Sequence, residues 1–435
     1  IDSSPHNGTA QAAAFAGELC RQFGLHVELQ EGVVRGVNQA NLIARPQEGR
    51  PGEEVLLQSH LDTVDPGSYS LWTETDRNPF NATIKGGKIY GLGAADVKLD
   101  FLCKLYAIKG IGKRAWKVPF VLVGTYGEEI GMWGAKHLML EKQVSAKMAL
   151  LGEPSEMQIV YASNGIAVVD VHIPFSAEEK AYRQDHETRE STSSHSRIFR
   201  GKAAHSSTPQ LGDNAILKLI QYLDQLPQGI ALIGVDGGTS HNVVPDQAVL
   251  EVDMSRSFKD SVARKLIQVV HELENISTEF LNYPATGFEP TCPTFNVGLV
   301  RSDDDGVQIT FSIRITPSVS REILSGWLNR LREYCKSLGA YVKVGNFKAP
   351  TNTSLASPLI KSCMDEIKRL GRSPMLSTKS ASNEASIYSP RGIECVVVGP
   401  GRSIGNSHCP NEQNSLEELE FAIQFYKGMI ERLCA

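Results

Sequence analysis

At 435 residues the chain is too long for one ordinary hydrophobic core, so two domains are expected. Its 41% hydrophobic and 21% charged content is that of a soluble globular protein, and a formal net charge of −5 gives no electrostatic attraction to nucleic acid or an anionic membrane. Apolar runs such as VPFVLVG and MALLG fall far short of a bilayer span. The chain opens at Ile1 rather than Met, so a start further upstream or a processed one is expected, and no signal peptide is visible. Cys20, Cys103, Cys292, Cys335, Cys363, Cys395, Cys409 and Cys434 are scattered without a CxxC, which favours reduced thiols and a cytoplasmic location over a disulfide framework or a structural zinc site. Cys409, although next to His408, reads as a small packing residue.

Residues 9–24 have helical spacing and stop at a glycine. LIARP and EVLLQSHLD read as strands, and GKIYGLGAAD as a Gly-rich turn opening a helix over about 97–110. VPFVLVGTYGEE is a buried strand followed by a helix at about 131–142, and AKMALLGEPS is another strand. This alternation predicts an α/β fold, a mixed sheet flanked by helices. The rhythm changes after about 163. NGIAVVDVHI alternates its faces, and FSAEEKAYRQDHETRESTSSHSR is so polar that an exposed loop or extended hairpin is expected. A helix at NAILKLIQYLDQL, strands at QAVLEVDMS, FNVGLV and VQITFSIRI, and a helix at SREILSGWLNRLREYCKSLG follow. The first rhythm returns with a helix at PLIKSCMDEIKRLG, the strand ECVVVGPG and an amphipathic helix over about 415–434. The expected organisation is a discontinuous metal-binding domain, 1–163 and 347–435, around an α+β module inserted at 164–346.

Acidic and imidazole side chains stand at the ends of these strands, where α/β folds place their chemistry. His60 and Asp62 share one strand face, so a carboxylate can hold one imidazole nitrogen while the other binds metal. Alone the H-x-D is a weak signal, since an isolated strand-end histidine is more often a structural hydrogen-bonding residue than a ligand. Gly91-Leu-Gly-Ala-Ala-Asp96 superficially resembles a dinucleotide turn, but a phosphate would not accept Asp96 at that helix start. Asp96 either bridges two cations or caps the following helix. Glu128 and Glu129 leave a buried strand together and require neutralisation by cations or protons. Glu153 in GEPS repeats the strand-end carboxylate, and His408 adds a nitrogen donor from a Gly/Pro-rich loop. One shared Asp, two Glu and two His can make two three-ligand sites with room for a water, a set that zinc favours.

The ordered series SHLDTV, GLGAADVK, GTYGEE, LGEPS and GNSHCPNE resembles the M20 family of di-zinc amidohydrolases and exopeptidases over nearly the whole chain. It is most similar to the acetylornithine deacetylase and succinyl-diaminopimelate desuccinylase branch. The resemblance implies a zinc-exopeptidase-like mixed sheet with an inserted α+β lid and dimerisation domain. It places two Zn²⁺ per chain, with Co²⁺ or Mn²⁺ as substitutes: one on His60, Asp96 and Glu153, the other on Asp96, Glu129 and His408. Glu128 would be the general base and Asp62 the orienter of His60, and the Asp96–Val97 peptide would be cis. GKAAHSSTPQLGDNAI resembles the family's dimerisation motif, whose histidine, here His205, assists the neighbouring subunit's site in a homodimer. HNVVPD resembles its substrate loop and puts Asn242 near the substrate; the Arg gripping a substrate carboxylate is Arg256 or Arg314.

Three departures concern substrate and dimer surfaces: the length of residues 174–200, Asn383-Glu384-Ala385 where relatives carry a Ser-Asp or Thr-Asp step, and a duplicated strand-plus-Arg pattern. The implied activity is metal-dependent deacylation of an N-acyl amino acid. Its alternatives are an exopeptidase acting on dipeptides or C-termini and a non-catalytic metal-binding relative, which would have no need of Glu128.

Overall fold

The computed structural model describes residues 1–46, 52–112, 115–187 and 194–434. They form two compact units, one of residues 1–163 with 351–435 and the other of residues 164–350. Among the described residues no helix is long and apolar enough to cross a membrane.

In the first unit a nine-stranded sheet runs in the order His26–Val34, Val37–Arg45, Phe120–Thr125, Glu54–His60, Ala146–Leu151, Glu394–Val397, Ile159–Ser163 and Thr351–Asn352, with Leu376–Lys379 paired to Ile159–Ser163. The strands Phe120–Thr125, Glu54–His60, Ala146–Leu151 and Glu394–Val397 are parallel neighbours. Parallel strands covered on both faces have apolar centres, which is why these segments carry short runs such as Val55-Leu56-Leu57, Phe120-Val121-Leu122-Val123 and Met148-Ala149-Leu150-Leu151. Glu54–His60 is buried at every position. Val55 and Leu57 point into a core shared with Phe101, Leu105, Phe425 and Met429, while Leu56 points into the opposite core with Ala135, Leu138 and Tyr388. The helices Lys98–Ile111, Pro358–Arg369 and Leu416–Cys434 thus cover one face, and Trp133–Leu140 and Ala385–Tyr388 the other. Local signals set these elements: Pro358 opens its helix behind Ser357, whose hydroxyl accepts from the amides of Leu359 (3.0 Å) and Ile360 (3.3 Å).

The second unit is a seven-stranded antiparallel sheet in the order Ser194–Arg200, Gln247–Ser257, Ile230–Gly237, Thr294–Ser302, Gly306–Ile315, Gly165–Pro174 and Tyr341–Lys348. Ala167, Val169, Val171 and Ile173 of one strand and Phe311, Ile313 and Ile315 of its neighbour face a core closed by the helices Ala215–Asp224, Val262–Thr278 and Arg321–Ser337. Arg314, of opposite parity, stands on the other face.

Two expectations about this unit need correction. The polar stretch read as a loop or hairpin contains the helix Ala177–Glu187 and the edge strand Ser194–Arg200; its residues 188–193 lie outside the described residues. Ser176 and Glu179 form a capping box: the amide of Ser176 donates to Glu179 Oε2 (2.9 Å) and that of Glu179 to Ser176 Oγ (3.3 Å). Composition hid a start signal that the S-x-x-E spacing carries. The helix Val262–Thr278 has no counterpart among the expected elements, although Val262, Leu266, Val269, Val270, Leu273 and Ile276 are all buried at helical spacing. The strand Ile230–Gly237 is likewise additional.

Candidate metal centre

Three of the parallel strands end at the same edge of the first unit's sheet. His60 closes Glu54–His60 opposite Thr125, Glu128 and Glu129 follow Phe120–Thr125, and Glu153 follows Ala146–Leu151. A buried network holds the central strand just before its histidine. Lys104 donates to the Gln58 carbonyl (2.6 Å), Ser59 Oγ (3.0 Å) and Asp100 Oδ2 (2.5 Å). A side chain at Gly152, the residue before Glu153, would collide with that Asp100 carboxylate, so only glycine fits there.

Asp96 sits at the centre of the donor cluster. Its Oδ1 lies 3.1 Å from His60 Nε2 and its Oδ2 3.4 Å from His408 Nε2, and the same His408 nitrogen is 3.0 Å from Glu129 Oε1. A carboxylate with one imidazole on each oxygen has the disposition of a bridging ligand. The peptide after Asp96 is cis, as the resemblance implies. Asp62 lies against both His60 and the two glutamates. His60 Nδ1 meets its backbone carbonyl at 3.0 Å, while its carboxylate is 3.6 Å away and instead accepts the amides of Glu128 and Glu129, each at 3.1 Å. Asp62 thus clamps the two glutamates with its side chain while its main-chain carbonyl and carboxylate both lie beside His60 Nδ1.

Donor atoms of Asp96, Glu129 and His408 lie within 4.8 Å of one another, as do those of His60, Glu128 and Glu129. Mixed nitrogen and carboxylate sets of this kind fit a divalent transition ion, zinc among them. Glu153 belongs to neither set; its Oε2 accepts from Lys379 Nζ at 2.6 Å. Electrostatics also favour positive charge here. Burial opposes a charge on His60, but Asp62 and Asp96 outweigh it and hold the imidazole well above its ordinary pKa. Hydrogen bonds to Asp96 and Glu129 push His408 up to about 11. Burial raises Glu129. His60 is 1% exposed but the His408 side chain 51%, so the centre opens to solvent beside His408.

Two acidic residues outside the expected donor set also serve the centre. Glu412, four residues after His408 in the same loop, accepts the amides of Ala95 (2.7 Å) and Asp96 (2.9 Å), fixing the turn that presents Asp96; burial pushes it up to about 7. Its place in GNSHCPNE was the available signal. Glu384, at the departure Asn383-Glu384-Ala385, is buried, accepts from Gln58 and from Thr125 Oγ1 (2.9 Å), and is pushed by burial up to about 8. Glu384 thus ties together the two strands that end in His60 and precede Glu128.

The second unit gathers a cluster of its own. His205 bridges Val243, and the Ser206 amide donates to the Asn242 carbonyl at 2.9 Å. Arg314 Nη2 donates to Ser206 Oγ at 3.0 Å, while its buried Nε has no hydrogen-bond partner among the described residues. Burial, then Arg314, holds His205 below its ordinary pKa. Arg256 is not brought to this cluster. It is exposed against Phe258 near the far end of Gln247–Ser257, roughly 30 Å along the strand from the loop carrying Asn242.

A parallel-centred sheet that delivers imidazole and carboxylate donors from adjacent strand ends to one rim is the arrangement of a mixed α/β protein with a candidate metal centre. The family model of peptidase family M20/M25/M40 matches residues 56–432, and the chain belongs to that family. It is 33% identical over 216 residues to an acetylornithine deacetylase of Pectobacterium carotovorum, a match covering 50% of this chain and 47% of that protein, so the chain spans about half the length of that relative. It is 24% identical over 378 residues to a protein of Staphylococcus aureus named probable succinyl-diaminopimelate desuccinylase, covering 84% of this chain and 81% of the relative. The solved aminoacylhistidine dipeptidase of Vibrio alginolyticus superposes with a TM-score of 0.63 at 16% identity, covering 99% of this chain and 93% of that one, a likeness of fold.

Proposed function

We propose that this chain hydrolyses the amide bond of an N-acyl amino acid, using a two-ion centre with Glu128 as general base. The observation that carries this is Asp96, whose two oxygens each face the Nε2 of a different histidine. Divalent ions held by His60, Asp96, Glu129, Glu153 and His408 would polarise the scissile carbonyl and acidify a water. Glu128 takes the proton of the attacking water and returns it to the leaving amine. His205 donates a hydrogen bond from its Nε2–H to the developing oxyanion, in our reading from the partner subunit of a homodimer. Asn242 lines the substrate loop.

For the substrate carboxylate we select Arg314 over Arg256. A buried guanidinium with an unused Nε donor favours a planar anion, whereas Arg256 stands far from Asn242 along its strand. Arg314→Ala is expected to raise KM about 10–100-fold for acyl amino acids, the loss of a charge-assisted pair, with Arg256→Ala near wild type. Steady-state kinetics on both variants would reverse the choice if Arg256→Ala carried the defect.

The names of the relatives support a deacylase or desuccinylase, and those of the solved neighbours leave an exopeptidase as the second reading. A panel of N-acetyl and N-succinyl amino acids and dipeptides, assayed with zinc or cobalt, decides between them. Dialysis against a chelator should abolish turnover and added zinc should restore it; activity that survives verified metal removal would end the proposal.

A further inference from the structure

Lys379 ends the strand Leu376–Lys379 and carries its ammonium into the carboxylate cluster. Its Nζ is 2.6 Å from Glu153 Oε2, with side chains only 21% and 12% exposed. The same charge acts on Asp96 and Glu128. The two convergent donor sets contain Glu128, Glu129, Asp96 and both histidines, but not Glu153. The carboxylate bound by the lysine is therefore the one left out of the donor sets. An ammonium is a compact, flexible point charge able to occupy the side of a carboxylate where an ion would otherwise bind.

We infer that Lys379 is a resident cation of the centre that makes its two ion positions unequal. The position on Asp96, Glu129 and His408 binds first and tightly. The position that uses His60, Asp96 and Glu153 fills only when Glu153 exchanges the ammonium for the incoming ion, and that ion is also repelled by the displaced charge. The inference rests on the proposed metal-hydrolase reading and adds a residue to it. Lys379 acts through Glu153, as a positioning and charge-setting group rather than a catalytic one.

The test is zinc binding itself, measured by calorimetric titration of chelator-treated full-length protein together with elemental analysis after gel filtration. For wild type we expect one tight and one weak ion, separated by at least about tenfold. Lys379→Met should strengthen the weak step by about tenfold or more and change the tight one by less than about threefold. Lys379→Gln keeps a donor to Glu153 without the charge and should behave alike, which guards against a poorly folded Met variant. Lys379→Arg should keep the separation. Two equal ions in wild type, or a weak step unmoved in both neutral variants, would overturn the role of Lys379 while leaving the hydrolase reading intact. Absence of zinc binding to any of the four proteins would instead overturn the metal reading and this inference with it.

Discussion

Replacing Glu128 with alanine is expected to lower kcat by about 10²–10⁴-fold or more while the protein still binds its ions, the signature of a lost general base. Glu128 is 9% exposed at the end of a buried strand, and its amide is fixed on Asp62 Oδ1 at 3.1 Å. Its neighbour Glu129 is held by the other oxygen of the same carboxylate, also at 3.1 Å. One aspartate thus clamps two consecutive residues whose carboxylates both join the set with His60. Glu129 also reaches His408 at 3.0 Å and belongs to both convergent sets, while Glu128 belongs only to the one containing His60. That geometry admits a competing role for Glu128 as a ligand, and the two roles separate cleanly by experiment. A ligand's removal lowers the metal content; a base's removal spares it. Glu129→Ala should weaken one ion position and so serves as the contrast. Turnover near wild type in Glu128→Ala, with kinetics and elemental analysis on the same sample, would refute the assignment.

The second large effect is a recovery. His205→Ala and Glu128→Ala should each be nearly inactive, the former by about 10²–10³-fold as for loss of an oxyanion donor. Ser207 explains why this imidazole can act as such a donor. The Ser207 amide donates to His205 Nδ1 at 3.2 Å, so Nδ1 is an acceptor and the proton sits on Nε2. Burial and the Arg314 charge keep the ring neutral, so Nε2–H is a donor with no positive charge to be lost near neutral pH. If His205 serves the other subunit, mixing the two variants with subunit exchange assembles heterodimers having one complete site. Random exchange at equal amounts should restore about a quarter of wild-type activity. Mass spectrometry would verify the exchange. Mixed dimers with no recovered turnover, or a fully active monomer, would sink the role in trans.

The features that survived from linear reading to structure are those written locally. The strand Glu54–His60 is buried at every position and ends in the expected histidine, and the helix Lys98–Ile111 begins just after the Gly-rich turn bearing Asp96. Both depend on short-range patterns, an apolar run and a turn followed by helical spacing, which neighbours in sequence suffice to express. The helix Ala177–Glu187 failed for the converse reason: bulk polarity outweighed a four-residue capping signal.

What the chain by itself determined was therefore its family, its principal strands and the inventory of donors at their ends. Tertiary structure alone decided which donor meets which. Glu412 reaches the amide of Ala95 across 317 residues, and Lys379 reaches Glu153 across 226. Arg314 and Arg256 each end a similar strand-like run, yet only Arg314 comes to Ser206. A hydrogen bond or ion pair is specified by ångström-scale distance and direction, and those are properties of the folded packing of remote segments, which no local pattern encodes.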